Sequence, residues 1–257
     1  MHIDESNNKS NVLSQLRIDV RSIVEGINVN DGELSAYLHG SVLEAGWQPA
    51  SDIDMLFLCQ ELTDDILVGL YRRIAGITAF GSAVKVEKRV GPLIAEGDEM
   101  GSPAPVIVHA VIHDRRSWQS ISPATQILLA MSAEPIIGHA SISTTFRGLS
   151  PGNLAMKFSA DLQYLRDMMQ SKTLPFWQWS DDERPVQLRF RQRIETDEQR
   201  RKLLRYAAAL LTGWIWIMHD RKLDKLSGLS LEDLIQLAGD LSRAEDMASA
   251  AKSLLAV

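Results

Sequence analysis

The stretch Tyr37-Leu38-His39-Gly40-Ser41, followed after a turn-rich insert by Ser51-Asp52-Ile53-Asp54-Met55-Leu56-Phe57-Leu58, decides how this chain is read. An apolar lead-in that stops at Gly40-Ser41, then an Asp-x-Asp opening a β-branched and aromatic run, predicts strand, turn or short helix, strand. Side chains alternate along a strand, so Asp52 and Asp54 fall on one side while Ile53 and Met55 face the core. Two carboxylates one pleat apart repel, and the flanking Met55-Leu56-Phe57-Leu58 does nothing to relieve them. A hard divalent cation does, since Mg2+ is held by one or two carboxylates together with substrate phosphate oxygens. Gly40 lets backbone approach a bulky anion, and Ser41 offers a hydroxyl and an N–H to phosphate. Asp52 and Asp54 are the candidate metal ligands, and Gly40 and Ser41 the candidate phosphate contacts.

The order, separation and hydrophobic frame of Gly40-Ser41…Asp52-x-Asp54 resemble the motif of the DNA polymerase β superfamily of nucleotidyltransferases. Further along, the apolar run from Val106 to His113, then Asp114-Arg115-Arg116-Ser117-Trp118, resembles a stretch of the bacterial aminoglycoside nucleotidyltransferases, particularly the streptomycin and spectinomycin adenylyltransferases. There an apolar strand ends in His-Asp and a Trp follows. The resemblance covers residues 30–120, and the rest in outline. It implies an α+β protein: a small mixed-sheet nucleotidyltransferase domain, residues 1–148, followed by an α-helical domain, residues 149–257. It also implies Mg2+-dependent transfer of a nucleoside monophosphate, most simply AMP from ATP, to a hydroxyl of a small acceptor such as an aminoglycoside-like compound.

That superfamily completes its metal site with a third carboxylate on a later strand, and here the chain departs from it. The position of the usual Glu falls near Ile107, the next residue on that face is His109, and no acid stands in the strand before Asp114. His109 is the first choice to fill the gap, because imidazole serves as ligand or as base near neutral pH. Glu87, on the preceding predicted strand, is the second. The structural alternatives are a hydrogen-bonded core histidine and a solvated ion pair among Lys85, Lys88 and Arg89. If neither residue serves, the chain binds nucleotide without efficient transfer.

Arginines crowd the segment from Arg184 to Arg205, which as a charge run reads first as a solvated face. In the aminoglycoside adenylyltransferases a helical-domain Arg, and a Lys beyond the next turn, reach back to the triphosphate; Arg205 and Lys225 resemble that pair and are the further candidate nucleotide contacts. Glu195, Asp197 and Glu198 resemble the acids that hold antibiotic amino groups, or else serve the dipole of the helix they begin. Trp118, Trp177 and Trp179 are candidates for the walls of an acceptor pocket, or for interdomain packing.

The rest of the sequence fits a globular frame. The 257 residues, 45% hydrophobic and 23% charged, are enough for one large or two modest cores. No apolar run has membrane-spanning length, the first residues are too polar for a secretory signal, and a single Cys59 excludes an internal disulfide, so a cytoplasmic setting is expected. The net charge of −6 argues against broad nucleic-acid binding and suits a cationic small substrate. Helices are predicted over residues 11–26, from Thr63 to Gly76, from Ser122 to Pro135, through the stripe Phe158, Leu162, Leu165, Met169, and over 196–218. A last helical segment opens at Ser230, strands are predicted over 83–90 and 106–113, and residues 177–185 are predicted to be a loop. Two other functions stay open: a nucleotidyltransferase acting on an RNA or tRNA end, and a catalytically degenerate binding module that lacks the third carboxylate.

Overall fold

The computed structural model describes residues 5–27, 34–43, 53–74, 76–77, 85–87, 89–90, 107–138, 142, 149–179, 187–218, 230 and 233–237. Its elements are α1 (Glu5–Glu25), β1 (Ser35–His39), a 3-10 turn (Gly40–Leu43), β2 (Ile53–Cys59), α2 (Asp64–Ile74), β3 (Lys85–Glu87), β4 (Arg89–Val90) and β5 (Ile107–Asp114). There follow α3 (Arg115–Ser120), α4 (Pro123–Ser132), β6 (Glu134–Ile137), α5 (Pro151–Ser171), β7 (Thr173–Trp179), β8 (Gln187–Arg193) and α6 (Asp197–Met218). A short helical segment at 233–237 starts behind Ser230, whose hydroxyl caps Asp233 N–H at 3.1 Å. The architecture is α+β.

A mixed five-stranded sheet in the order β3-β5-β2-β1-β6 carries the N-terminal half. β1 runs antiparallel to β2 and β6, while β5 runs parallel to β2 and β3. Alternation along the strands sends Ala36, Leu38, Ile53, Met55, Phe57, Val108, Ala110 and Ile112 to one face. There they meet Leu16, Val20 and Ile23 of α1 and Ile66, Leu67, Leu70 and Ile74 of α2. The opposite face carries Tyr37 and Leu56, which pack on Trp118. Arg17 of α1 reaches β6 through a fork to Glu134, 2.6 and 2.9 Å, that pins the helix to the sheet edge.

A second core gathers Phe158, Leu162 and Leu165 of α5 with Leu203, Ala207, Leu210 and Trp214 of α6. Ala124 of α4 belongs to it, and at Gly213 an added Cβ would meet the Ala124 carbonyl at 2.6 Å, so the two helices touch backbone to backbone. Asp161 ties three helices together: one carboxylate oxygen, Oδ2, accepts from the Ser122 hydroxyl at 2.5 Å and from the Trp214 indole at 2.6 Å. Burial raises its pKa, with those two bonds opposing. A separate three-stranded sheet, β4-β7-β8, pairs Arg89–Val90 with Gln178 and Trp177.

Several sequence expectations change. The first helix begins at Glu5, six residues before its expected start at Asn11. Residues 177–179 are strand, because Phe176, Trp177 and Trp179 are β-formers that find a partner ladder in β8. The expected strand at 83–90 is divided between two sheets as β3 and β4. Trp118 is 5% exposed and edge-on to His113 at 5.7 Å, and it packs on Tyr37 and Leu56. Cys59 is buried with its thiol pushed up to about 11, first by burial and then by Asp114. No helix among the described residues is long and apolar enough to cross a membrane.

Two measurements check this packing. Asp161→Ala strands the indole N–H of a Trp214 that is 1% exposed, and should cost about 2–3 kcal/mol in denaturant unfolding. Asp161→Asn keeps an acceptor oxygen and should cost less than about 1 kcal/mol; equal losses in the two variants would mean that charge, not acceptance, is what matters. Burial holds the His113 imidazole down at about 4, with Asp114 opposing, against 6.5 for an ordinary histidine. The unfolded chain therefore takes up a proton that the folded one refuses, so stability is full above pH 6.5 and falls as pH drops towards 4. At about 1.4 kcal/mol per unit this amounts to roughly 3 kcal/mol. In His113→Asn the decline between those pH values should flatten; an unchanged slope would contradict the assignment.

Candidate active site

The site is built by register. β1 and β2 pair His39 with Asp54, and β2 and β5 pair Asp54 with His109. β3 and β5 in turn pair Glu87 with His109. Since paired residues share a face, His39, Asp54 and His109 form a row across three adjacent strands, on the face opposite the α1 and α2 core. The Nδ1 atom of His109 lies 3.2 Å from Oδ1 of Asp54, the ring side chain 8% exposed and the carboxylate 24%. An ionised carboxylate only accepts, so in this contact the ring nitrogen donates.

Gly40 closes on the same carboxylate. It begins the 3-10 turn directly after β1 with φ +74°, a left-handed backbone that L side chains rarely adopt, and a Cβ placed on it would run into Asp54 Oδ2. Both the turn and the space for the carboxylate depend on the missing side chain. His39 flanks Asp54 on the other side. Its Nε2 is buried without a hydrogen-bond partner, and burial lowers its pKa, the Asp54 charge opposing and His109 reinforcing. Read as sequence, His39 was only the residue before Gly40; the antiparallel pairing is what puts it beside Asp54.

The other candidates are spread more widely. Asp52 and Lys225 lie outside the described residues, as do the side chains of Ser41, Glu87, Trp177 and Trp179. Arg205 is exposed on α6. Glu195 and Asp197 are exposed at the start of α6, where Gln199 Oε1 accepts from the N–H groups of Glu195 and Thr196, and Thr196 Oγ1 accepts from Gln199 N–H. This is a capping box, and acids beside it also suit the helix dipole. Asp114 is committed elsewhere. It sits five residues along β5 from His109, about 17 Å at strand spacing, and N-caps α3 by accepting from Ser117 N–H at 2.7 Å. Burial would raise its pKa, but the bonds from Ser117, Leu62 and Arg116 outweigh it and hold the carboxyl below its usual range.

Among the described residues no three His, Cys, Asp or Glu side chains are grouped to hold a metal ion. Asp54 fits a divalent cation as its carboxylate donor: the group is part-exposed in the space that a Cβ on Gly40 would fill. Mg2+ sites with one or two carboxylates draw their remaining ligands from water and phosphate. Two surface grooves, of about 480 and 290 Å³, are lined by Tyr164, Asp167 and Arg191 and by Asp19, Arg72 and Arg73 respectively, and neither includes His39, Asp54 or His109.

The Gly40 contact predicts a coupling. Gly40→Ala should destabilise by about 1–2 kcal/mol for the left-handed backbone, plus roughly 1 kcal/mol for displacing the carboxylate. In an Asp54→Ala background only the backbone cost should persist. A double-mutant cycle by denaturant unfolding with no coupling between the positions would show that Asp54 does not pack against Gly40.

No family model and no curated protein matches the chain in sequence. Among solved structures the chain is similar to spectinomycin adenyltransferase AAD(9) from Enterococcus faecialis, crystallised with ATP and spectinomycin, at 14% identity and a TM-score of 0.41, over 96% of this chain and 90% of that one. A likeness this distant transfers neither residues nor activity.

Proposed function

We propose that the protein is a nucleotidyltransferase that moves a nucleoside monophosphate, AMP from ATP, to a hydroxyl of a small polycationic acceptor of aminoglycoside-like chemistry. The observation that carries this reading is the meeting of the Gly-Ser turn with the Asp-x-Asp strand: Gly40 lies directly against the Asp54 carboxylate. A phosphate cradle and a cation-binding acid in contact form the minimal apparatus for holding a nucleotide triphosphate.

In this reading residues 1–148 supply Gly40 and Ser41 to the phosphates and Asp52 and Asp54 to Mg2+. Residues 149–257 close over the nucleotide with Arg205 and Lys225. A bound Mg2+ supplies charge neutralisation for the phosphates and for the departing pyrophosphate. His109 completes the polar row beside Asp54, and the exposed acids Glu195 and Asp197 suit a cationic acceptor. A second reading, a nucleotide-binding module with little turnover, is favoured by the imidazole that adjoins Asp54 where a carboxylate is expected.

The test is incubation with labelled ATP, CTP, GTP and UTP and Mg2+, with and without aminoglycosides and total tRNA, following pyrophosphate. Acceptor-dependent release with ATP is expected, and the Asp52→Asn, Asp54→Asn double variant should lose it by at least a hundredfold, about 2.7 kcal/mol, while melting within a few degrees of wild type. Turnover retained in the double variant removes the metal assignment. Nucleotide binding without turnover selects the second reading, and release that requires tRNA moves the acceptor to RNA.

A further inference from the structure

If the chain binds metal and nucleotide as set out above, the contact between Asp54 and His109 decides which metal. Imidazole can act here as a base or as a ligand. A base must reach the acceptor hydroxyl, directly or through one water, yet the His109 side chain is 8% exposed and lies behind a carboxylate three times more open. An ion reaches where a bulky acceptor does not. The separation is also that of a ligand pair. Bonds of about 2.1–2.2 Å at a right angle span an octahedral edge of about 3.0–3.1 Å, and Nδ1 and Oδ1 stand 3.2 Å apart.

We propose that Asp54 Oδ1 and His109 Nδ1 form a mixed oxygen and nitrogen ligand pair for the divalent cation that accompanies the nucleotide, and that the pair makes the site selective for Mn2+ over Mg2+. Entry of the ion moves the ring hydrogen from Nδ1 to Nε2, so the imidazole stays neutral and the carboxylate ionised. An all-oxygen set suits Mg2+. Replacing one oxygen by an imidazole nitrogen favours a first-row ion over Mg2+, and Mn2+, like Mg2+, accepts the oxygen-rich, six-coordinate remainder that phosphates and water supply. His39 lies on the far side of Asp54 with its Nε2 unpartnered, and is not part of the pair.

The experiment uses the full chain with the non-transferable analogue α,β-methylene-ATP. Calorimetry should find the analogue bound at least tenfold more tightly with Mn2+ than with Mg2+. Pulsed electron paramagnetic resonance of the Mn2+ complex should detect a directly bound nitrogen. Protein labelled with ¹⁵N-histidine should convert that signal to the ¹⁵N pattern, which separates it from an adenine nitrogen. His109→Asn should abolish the coupling and His39→Asn should keep it. Tight analogue binding with no histidine coupling, or coupling that survives His109→Asn, overturns the inference and leaves the nucleotidyltransferase reading standing. Failure to bind the analogue with either ion overturns both. If His109→Asn does not fold, the wild-type and ¹⁵N-labelled spectra decide between coupling and none, and the His39→Asn spectrum separates the two rings.

Discussion

Asp54 is held by ladders on both sides, antiparallel to β1 and parallel to β5, and the site follows from that double register. A slip of one residue in either ladder would send Asp54 into the α1 and α2 core and expose Met55 or Ile53. Burying Ile53, Met55 and Phe57, each fully inaccessible, is worth roughly 1.5–3 kcal/mol per side chain, which makes the register expensive to lose. The polar row is therefore kept in place by the apolar residues between its members. Chemistry on one face is positioned by packing on the other.

The second core obeys a different logic. α5 and α6 bury an apolar stripe, but what draws α4 to them is a polar knot, Ser122 and Trp214 converging on one oxygen of Asp161, beside a contact too close for any residue but Gly213. Because α4 follows β5 and α3 directly, the helices are linked to the strand that carries His109. The residue boundary at 148 and 149 is crossed by this contact and by the pairing of β4 with β7.

Much of this was legible from residues alone. The central strand announced itself through its alternating apolar run, α2 through Thr63 and the acids behind it, and α5 and α6 through stripes at helical spacing. The β7 and β8 hairpin was missed because arginine density hid the period of two in Leu188, Phe190 and their neighbours, and because aromatic residues near Pro175 read as a loop. β6 is four residues long and contains Pro135, which leaves no periodic signal. At the site, Gly40 and Asp54 could be singled out from their order and spacing. The place of His39 beside them could not, since cross-strand neighbours are chosen by pairing between distant segments and no local pattern encodes it.

Between Glu87, which pairs with His109, and Arg89, which pairs with Gln178, there is one residue, Lys88. Two peptide units span at most about 7 Å between their outer Cα atoms, so the two sheets are leashed at this point however the rest of the chain moves. Any rearrangement of the β7 and β8 hairpin must pivot about that leash, whose end on β3 is separated from Asp54 by the single strand β5. The hairpin cannot drift away from the five-stranded sheet.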